Sequence, residues 1–144
     1  MRLLPILTIL GLSILGVSCS KGLTKAEVTP WLEARSAAPD LDVAGAWDSV
    51  RPYLAGGWGP AVWVQSGAQV TGTLGPLDAQ GRVAGRKLFL ALSSRGQVTW
   101  TAVLEPTKDG GLTGFAVAKA LAKDPTDATQ EHTPLELMRP VAGN

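Results

Sequence analysis

His132 is the sole histidine of this 144-residue chain, and Cys19 is its sole cysteine. One imidazole with no second His and no nearby Cys does not make a usual zinc site. His132, in the polar stretch from Lys123 to Thr133, therefore reads as a solvated loop residue. Asp40, Asp42 and Asp48 lie close in sequence but lack the glycine-punctuated spacing of a calcium loop. Ser93 and Ser94 have no Gly-x-Ser-x-Gly context and no plausible base. Asp48 and Glu105 are scattered carboxylates, useful for acid–base chemistry only if they share one cleft. Glycines are abundant, yet no Gly-rich segment leads from a strand into a helix as a phosphate cradle requires. The expectation is a protein that is not an enzyme, holds no metal and needs no cofactor. Cys19 differs from these residues, because a lone thiol in an exported chain has no partner unless it is modified.

The residues before Cys19 indicate such export. Arg2 supplies a single positive charge, and Leu3 to Leu15 is almost entirely apolar. That stretch is shorter than the roughly 20 residues of a spanning helix, and small residues follow it, as in a cleavable secretory signal. Leu15-Gly16-Val17-Ser18-Cys19 resembles the lipobox of bacterial lipoproteins, with Gly16 where that family most often has leucine. The resemblance implies a diacylglycerol on the Cys19 sulfur, cleavage after Ser18, and attachment to a membrane. Two acyl chains hold stably where one holds only marginally. Ser20 stands where members retained in the inner membrane often have aspartate, which implies the outer membrane if the cell has one. Residues 1–18 are thus expected to be a signal peptide, 19–42 a lipidated linker with a short helix, and 43–144 one β-domain.

The mature part has about 126 residues, enough for one core without disulfides. Removing Arg2 leaves 12 Lys and Arg against 12 Asp and Glu. This balance argues against a nucleic-acid partner and against a polybasic membrane patch.

From Val43 onward the apolar pattern has mostly period two, interrupted by short turns. It predicts strands at Val43–Val50, Pro60–Ser66, Gln69–Gly75, Gly81–Ala84, Lys87–Ser94, Gln97–Glu105, Leu112–Lys119 and Thr133–Pro140. The seventh is alanine-rich and also compatible with a short helix. Ser66-Gly67, Arg95-Gly96 and Asp109-Gly110-Gly111 supply turn residues that tolerate positive φ. Before the strands, Thr29-Pro30 fits the start of a short helix with Trp31, Leu32 and Arg35 on one face. A competing start at Thr24, with Glu27 completing a capping box, would place Pro30 inside the helix, and the later start is preferred. Ser66 to Thr73 matches Ser94 to Thr101 at five of eight positions, which suits a meander of repeating hairpins.

About eight short strands without a crossover helix predict an all-β fold, a small antiparallel up-and-down barrel whose closure removes the sheet edges. Gly45-Ala46-Trp47 resembles the Gly-x-Trp signature of lipocalins and related barrels, which implies that Trp47 plugs the closed end. The predicted inward set is Val62, Val64, Val70, Leu74, Leu88, Leu90, Leu92, Val98, Trp100, Leu104, Leu135 and Leu137. So apolar an interior is either filled by side chains or shaped for a small apolar ligand. Trp63, out of phase with Val62 and Val64, is expected to face outward. Trp58, in Gly56-Gly57-Trp58-Gly59-Pro60, is expected at a contact site on an exposed loop, as a lid over the barrel mouth, or in contact with the Trp31 helix. Trp58, Trp63 and Trp100 are the candidate contacts for a ligand or an envelope protein partner. A lipid-anchored, non-enzymatic envelope protein is the leading expectation, with a purely structural filled barrel as one alternative. Another is a surface-displayed inhibitor of a cell-wall hydrolase. Ser66-Gly67-Ala68-Gln69 resembles the start of the Ser-Gly-x-x-Tyr loop of lipid-anchored lysozyme inhibitors, with Val70 in place of the tyrosine.

Overall fold

A computed structural model describes residues 22–50 and 57–141. Cys19 and the apolar residues before it lie outside the described residues. The chain forms one helix, α1 (Lys25–Glu33), and eight strands: β1 (Gly45–Ser49), β2 (Ala61–Ser66), β3 (Gln69–Leu74), β4 (Leu77–Ala84), β5 (Lys87–Ser94), β6 (Gln97–Pro106), β7 (Leu112–Ala118) and β8 (Thr133–Met138). All eight close into a barrel in sequence order, each strand antiparallel to the next and β1 paired with β8. The expected fold class, an up-and-down barrel of eight strands with a short N-terminal helix, is what the chain adopts, and the alanine-rich seventh segment is a strand.

Closure is thinnest at β1. Its first residues, Gly45 to Trp47, pair with β2, and its last two, Asp48 and Ser49, pair with β8. β1 is shorter than the sequence pattern predicted because the chain at Leu41 and Val43 leaves the ladder and crosses the barrel end. There the side chain of Gln65 replaces a strand: it accepts from Val43 N at 2.8 Å and donates to Leu41 O at 3.0 Å. β4 is longer than predicted, because the tight turn at Gly75 and Pro76 lets Leu77 pair directly with Leu74.

Two inward assignments fail on β2. Val62 and Val64 face solvent, 57% and 66% exposed, whereas Trp63 is inside at 2%. Alternation alone put the two valines in the core. An eight-stranded barrel instead needs bulk at its centre, and β-branched residues are well accommodated on an outer strand face. Val98 is also outside. A bulge in β6 pairs Leu92 with Trp100 and Ser93 with Val98, leaving Thr99 as the extra residue. One added residue reverses the face of everything before it. Trp100, Ala102 and Leu104 thus belong to the interior, while Val98 joins an outer layer.

That outer layer explains why β5 is buried on both faces. Leu88, Leu90 and Leu92 point into the barrel, and Phe89 and Ala91 lie beneath α1. The helix starts at Thr24 rather than at Thr29, with Pro30 inside it. The Thr24 side chain accepts from Glu27 N, and Glu27 Oε2 accepts from Thr24 N at 2.7 Å, a reciprocal capping box. The earlier start brings Val28 onto the same face as Trp31 and Leu32, three and four residues on, and all three are buried. Burial of three apolar side chains, at about 1.5–3 kcal/mol each, offsets the hydrogen bond that Pro30 cannot donate. Thr101, fully buried on the outer side of β6, holds the segment after β7 against the same layer. Its hydroxyl donates to Ala120 O and accepts from Ala122 N, both at 2.7 Å.

The repeated octapeptides form the β2–β3 and β5–β6 hairpins, three strands apart. In a meander they fall at opposite barrel ends, and their valines differ in orientation: Val70 is interior and Val98 is outer. Their likeness is that of two turns followed by strands.

Candidate functional site

The barrel has two ends. At one lie the β1–β2 connection, the β3–β4 and β5–β6 turns and the long β7–β8 loop. At the other lie the β2–β3, β4–β5 and β6–β7 turns and the chain entering β1.

Trp58 closes the first end. It is buried at 2% exposure, so the alternative of an exposed loop contact gives way to the lid. Its ring meets Trp100 edge to face at 5.1 Å between centroids. Its indole N–H donates to Pro134 O at 3.1 Å, satisfying a carbonyl of β8 that β1 does not reach. Gly75, at φ 54, lets this loop lie down, since a Cβ there would overlap the carbonyl of Trp58. Nearby, Ser49 Oγ donates to Gly59 O at 2.6 Å and Gly75 N donates to Pro60 O at 2.7 Å.

Trp47 lies at the opposite end and is 3% exposed. Its indole N–H donates to Val43 O at 2.9 Å, so the segment crossing that end is tied to the ring. The Arg139 guanidinium stacks over the ring at 3.8 Å and donates to Ala44 O at 2.7 Å and Ala46 O at 3.2 Å. Nothing in the sequence singled out Arg139, which becomes informative only when the end of β8 is brought to the start of β1. Trp63 packs against Trp47 at 6.1 Å within the barrel, and its indole N–H is buried without a hydrogen-bond partner in the protein.

Between these ends the interior is formed by Val70, Leu74, Val83, Leu88, Leu90 and their neighbours, all essentially inaccessible. Among the described residues, clefts lie on the wall and rim. One, of about 130 Å³, sits between α1 and β3–β4 and includes Leu32, Glu33, Gln80 and Arg82. Another, open and of about 410 Å³, runs from Trp100 and Val117 to Gln130, Glu131 and Thr133. Trp100 thus contacts both the lid and this rim.

Among the described residues no three His, Cys, Asp or Glu side chains come together as a metal site. Asp48 points outward on β1 and Glu105 points outward on β6, with β7 and β8 between them. Glu105 is paired with Lys87 at 3.3 Å. His132 is not the solvated residue expected. Its ring lies 4.5 Å from that of Phe115, and its Nε2 is buried with no protein partner. The loop around it is organised by its own polar groups. Asp124 accepts from the hydroxyl and amide of Thr126, and Asp127 does the same with Thr129. Those hydrogen bonds hold both carboxyls below their ordinary range.

Ser66-Gly67-Ala68-Gln69 is a tight turn pinned from within, with Gln65 Nε2 donating to Gly67 O at 3.0 Å. Sequence reasoning also missed the aromatic and cationic stack under α1, where Arg35 lies 4.6 Å from the Phe89 ring and 5.6 Å from that of Trp31. The apolar spacing on the helix was the one available signal. Compared with known proteins, the chain matches no family model, and neither a curated protein nor a solved structure is significantly similar to it.

Proposed function

We propose that this chain is a lipid-anchored, non-enzymatic envelope protein whose barrel is a filled scaffold acting through its outer surface. In this reading Cys19 carries the lipid and places the domain in the bacterial cell envelope, at the outer membrane where one exists. The lipobox-like residues 15–19 support the anchor. One observation carries the choice of a filled scaffold over a carrier of a small apolar ligand. The interior is occupied by the protein's own Trp47, Trp58, Trp63 and leucines, with an indole bonded in place at each end. A carrier would need to expel at least one of these side chains, each worth several kcal/mol of packing.

Native mass spectrometry of the lipid-free domain, Ser20 to Asn144, purified gently from cells, tests this directly. The expected result is the bare protein mass. A retained adduct of lipid mass would replace the filled scaffold with a ligand-carrying barrel.

A further inference from the structure

Resting on the filled scaffold just proposed, which acts through its outer surface, we infer that the groove between Trp100 and the β7–β8 loop binds one ring of a neutral oligosaccharide. The first observation is where the chain departs from its local rules. The β6 bulge leaves Thr99 as the extra residue and sets the orientation of Trp100, which lines the groove. Of the five tryptophans, Trp100 alone is half-buried rather than buried. Lys119, just after β7, is a non-glycine residue at φ 53, a backbone conformation that side chains disfavour. Its N–H donates to Thr99 O at 2.9 Å, so the strained residue and the bulge are locked to each other beside the groove. Bulges near binding sites re-aim a side chain, and strained backbone clusters where a ligand is held.

The second observation is the chemistry of the walls. Trp100, Val117 and Ala118 form an apolar side, and Thr129, Glu131 and Thr133 a polar one. The polar side is preformed. Asp127 accepts from the hydroxyl and amide of Thr129 at 2.5 and 2.9 Å. Gln130 accepts from Lys123 N at 3.0 Å and donates to Leu121 O at 2.8 Å. His132 packs on Phe115, and the residues on either side of it, Glu131 and Thr133, line the groove. Among the described residues nothing hydrogen-bonds to the Trp100 indole N–H, the Glu131 carboxylate or the Thr133 hydroxyl. A purely apolar ligand would leave all three unpaired. A peptide strand finds no open edge, because β6, β7 and β8 are paired to one another here. Glu131 is the one charged side chain on the walls, and exposed Lys119 sits between Ala118 and Ala120, so no ionic ligand is selected. A pyranose ring offers what remains: a rim of hydroxyls that donate and accept, and a face of C–H bonds that suits the negative face of an indole. The groove, at about 410 Å³, falls within the roughly 300–1,000 Å³ of ligand sites. The cleft under α1, at about 130 Å³, does not.

The test titrates the full-length protein in detergent micelles with maltotriose, cellotriose and N-acetylated chitotriose, followed by NMR of backbone amides and indole N–H groups. With at least one of these sugars, saturable shifts at millimolar concentration are expected at the Trp100 indole and at the amides of residues 117–120 and 129–133. Glu131→Ala, at an exposed position, should weaken binding about tenfold, and Trp100→Ala should abolish it. Where Trp100→Ala fails to fold by circular dichroism, Glu131→Ala carries the test. No shift with any of the sugars overturns the inference and leaves the filled scaffold standing. Shifts at the buried Trp47 and Trp63 indoles would mean that the sugar enters the barrel, and would overturn both. Affinity unchanged in Glu131→Ala would place the sugar elsewhere and overturn the assignment. Choline, a cation suited to an aromatic face, should not move the Trp100 indole, and a shift with choline but none with the sugars overturns the sugar reading.

Discussion

Replacing Trp58 with alanine tests whether the lid is part of the core or merely rests on it. Truncating a buried tryptophan costs about 3–5 kcal/mol through lost burial and the cavity left behind. Two features of Trp58 place it in the upper half of that range. Its edge-to-face contact with Trp100 contributes about 1 kcal/mol beyond burial. Its hydrogen bond to Pro134 O contributes about 1 kcal/mol more, and its loss leaves a strand carbonyl without its donor. The expected loss is about 4–5 kcal/mol, a large share of the 5–15 kcal/mol total of an ordinary domain. Urea unfolding of the lipid-free domain, followed by far-UV circular dichroism, measures it. Trp58→Phe should lose only about 1–2 kcal/mol, because most of the packing remains and the hydrogen bond does not. A double-mutant cycle with Trp100→Ala should return a coupling of about 1 kcal/mol. A loss below about 1 kcal/mol for Trp58→Ala would mean that Trp58 is a surface residue, and the sealed barrel would be refuted.

Other perturbations probe other joints. Thr101→Val leaves the buried Ala122 N–H and Ala120 O without their shared hydroxyl, an expected cost of about 2–4 kcal/mol by chemical denaturation. The same change should speed hydrogen exchange at Ala122 first. Arg139→Ala removes the cation over Trp47 and two exposed hydrogen bonds, for about 1–2 kcal/mol and a shift in tryptophan emission. The Asp124 and Asp127 carboxyls are lowered in the folded chain, so their contribution is present above about pH 4. It is lost as the pH falls through the folded values. Amide shifts of Thr126 and Thr129 should therefore titrate at or below the ordinary aspartate range, with little change in global stability because Asp124 is exposed and Asp127 only half-buried in the same surface loop.

Strand number, order and closure were legible in the sequence because turn chemistry is local. Gly67, Arg95, Gly96 and Gly110 all adopt the positive φ their positions suggested. Much of the leucine core was legible for a related reason: Leu88, Leu90 and Leu92 keep strict period two along one uninterrupted strand. What could not be read was any choice between two locally equivalent arrangements. Val62 and Val64 or Trp63 could each have faced inward, and only the volume of a closed barrel selects the tryptophan. The phase of β6 changes at Thr99 because of a bulge that no alternation pattern contains. The helix start was decided by Val28 reaching the outer layer, a contact with strands more than fifty residues away.

The sequence by itself determined that the chain is all-β, that its strands run consecutively, and that Cys19 sits in a lipobox-like setting. Those properties follow from dihedral preference, periodicity and short motifs, each confined to neighbouring residues. Tertiary structure alone decided that Trp58 is a lid, that Arg139 covers Trp47, and that Gly22 and Leu23 dock on β6 beside Val98. Each depends on closing the sheet, which brings the chain before β1 and the end of β8 to places that sequence separation does not encode.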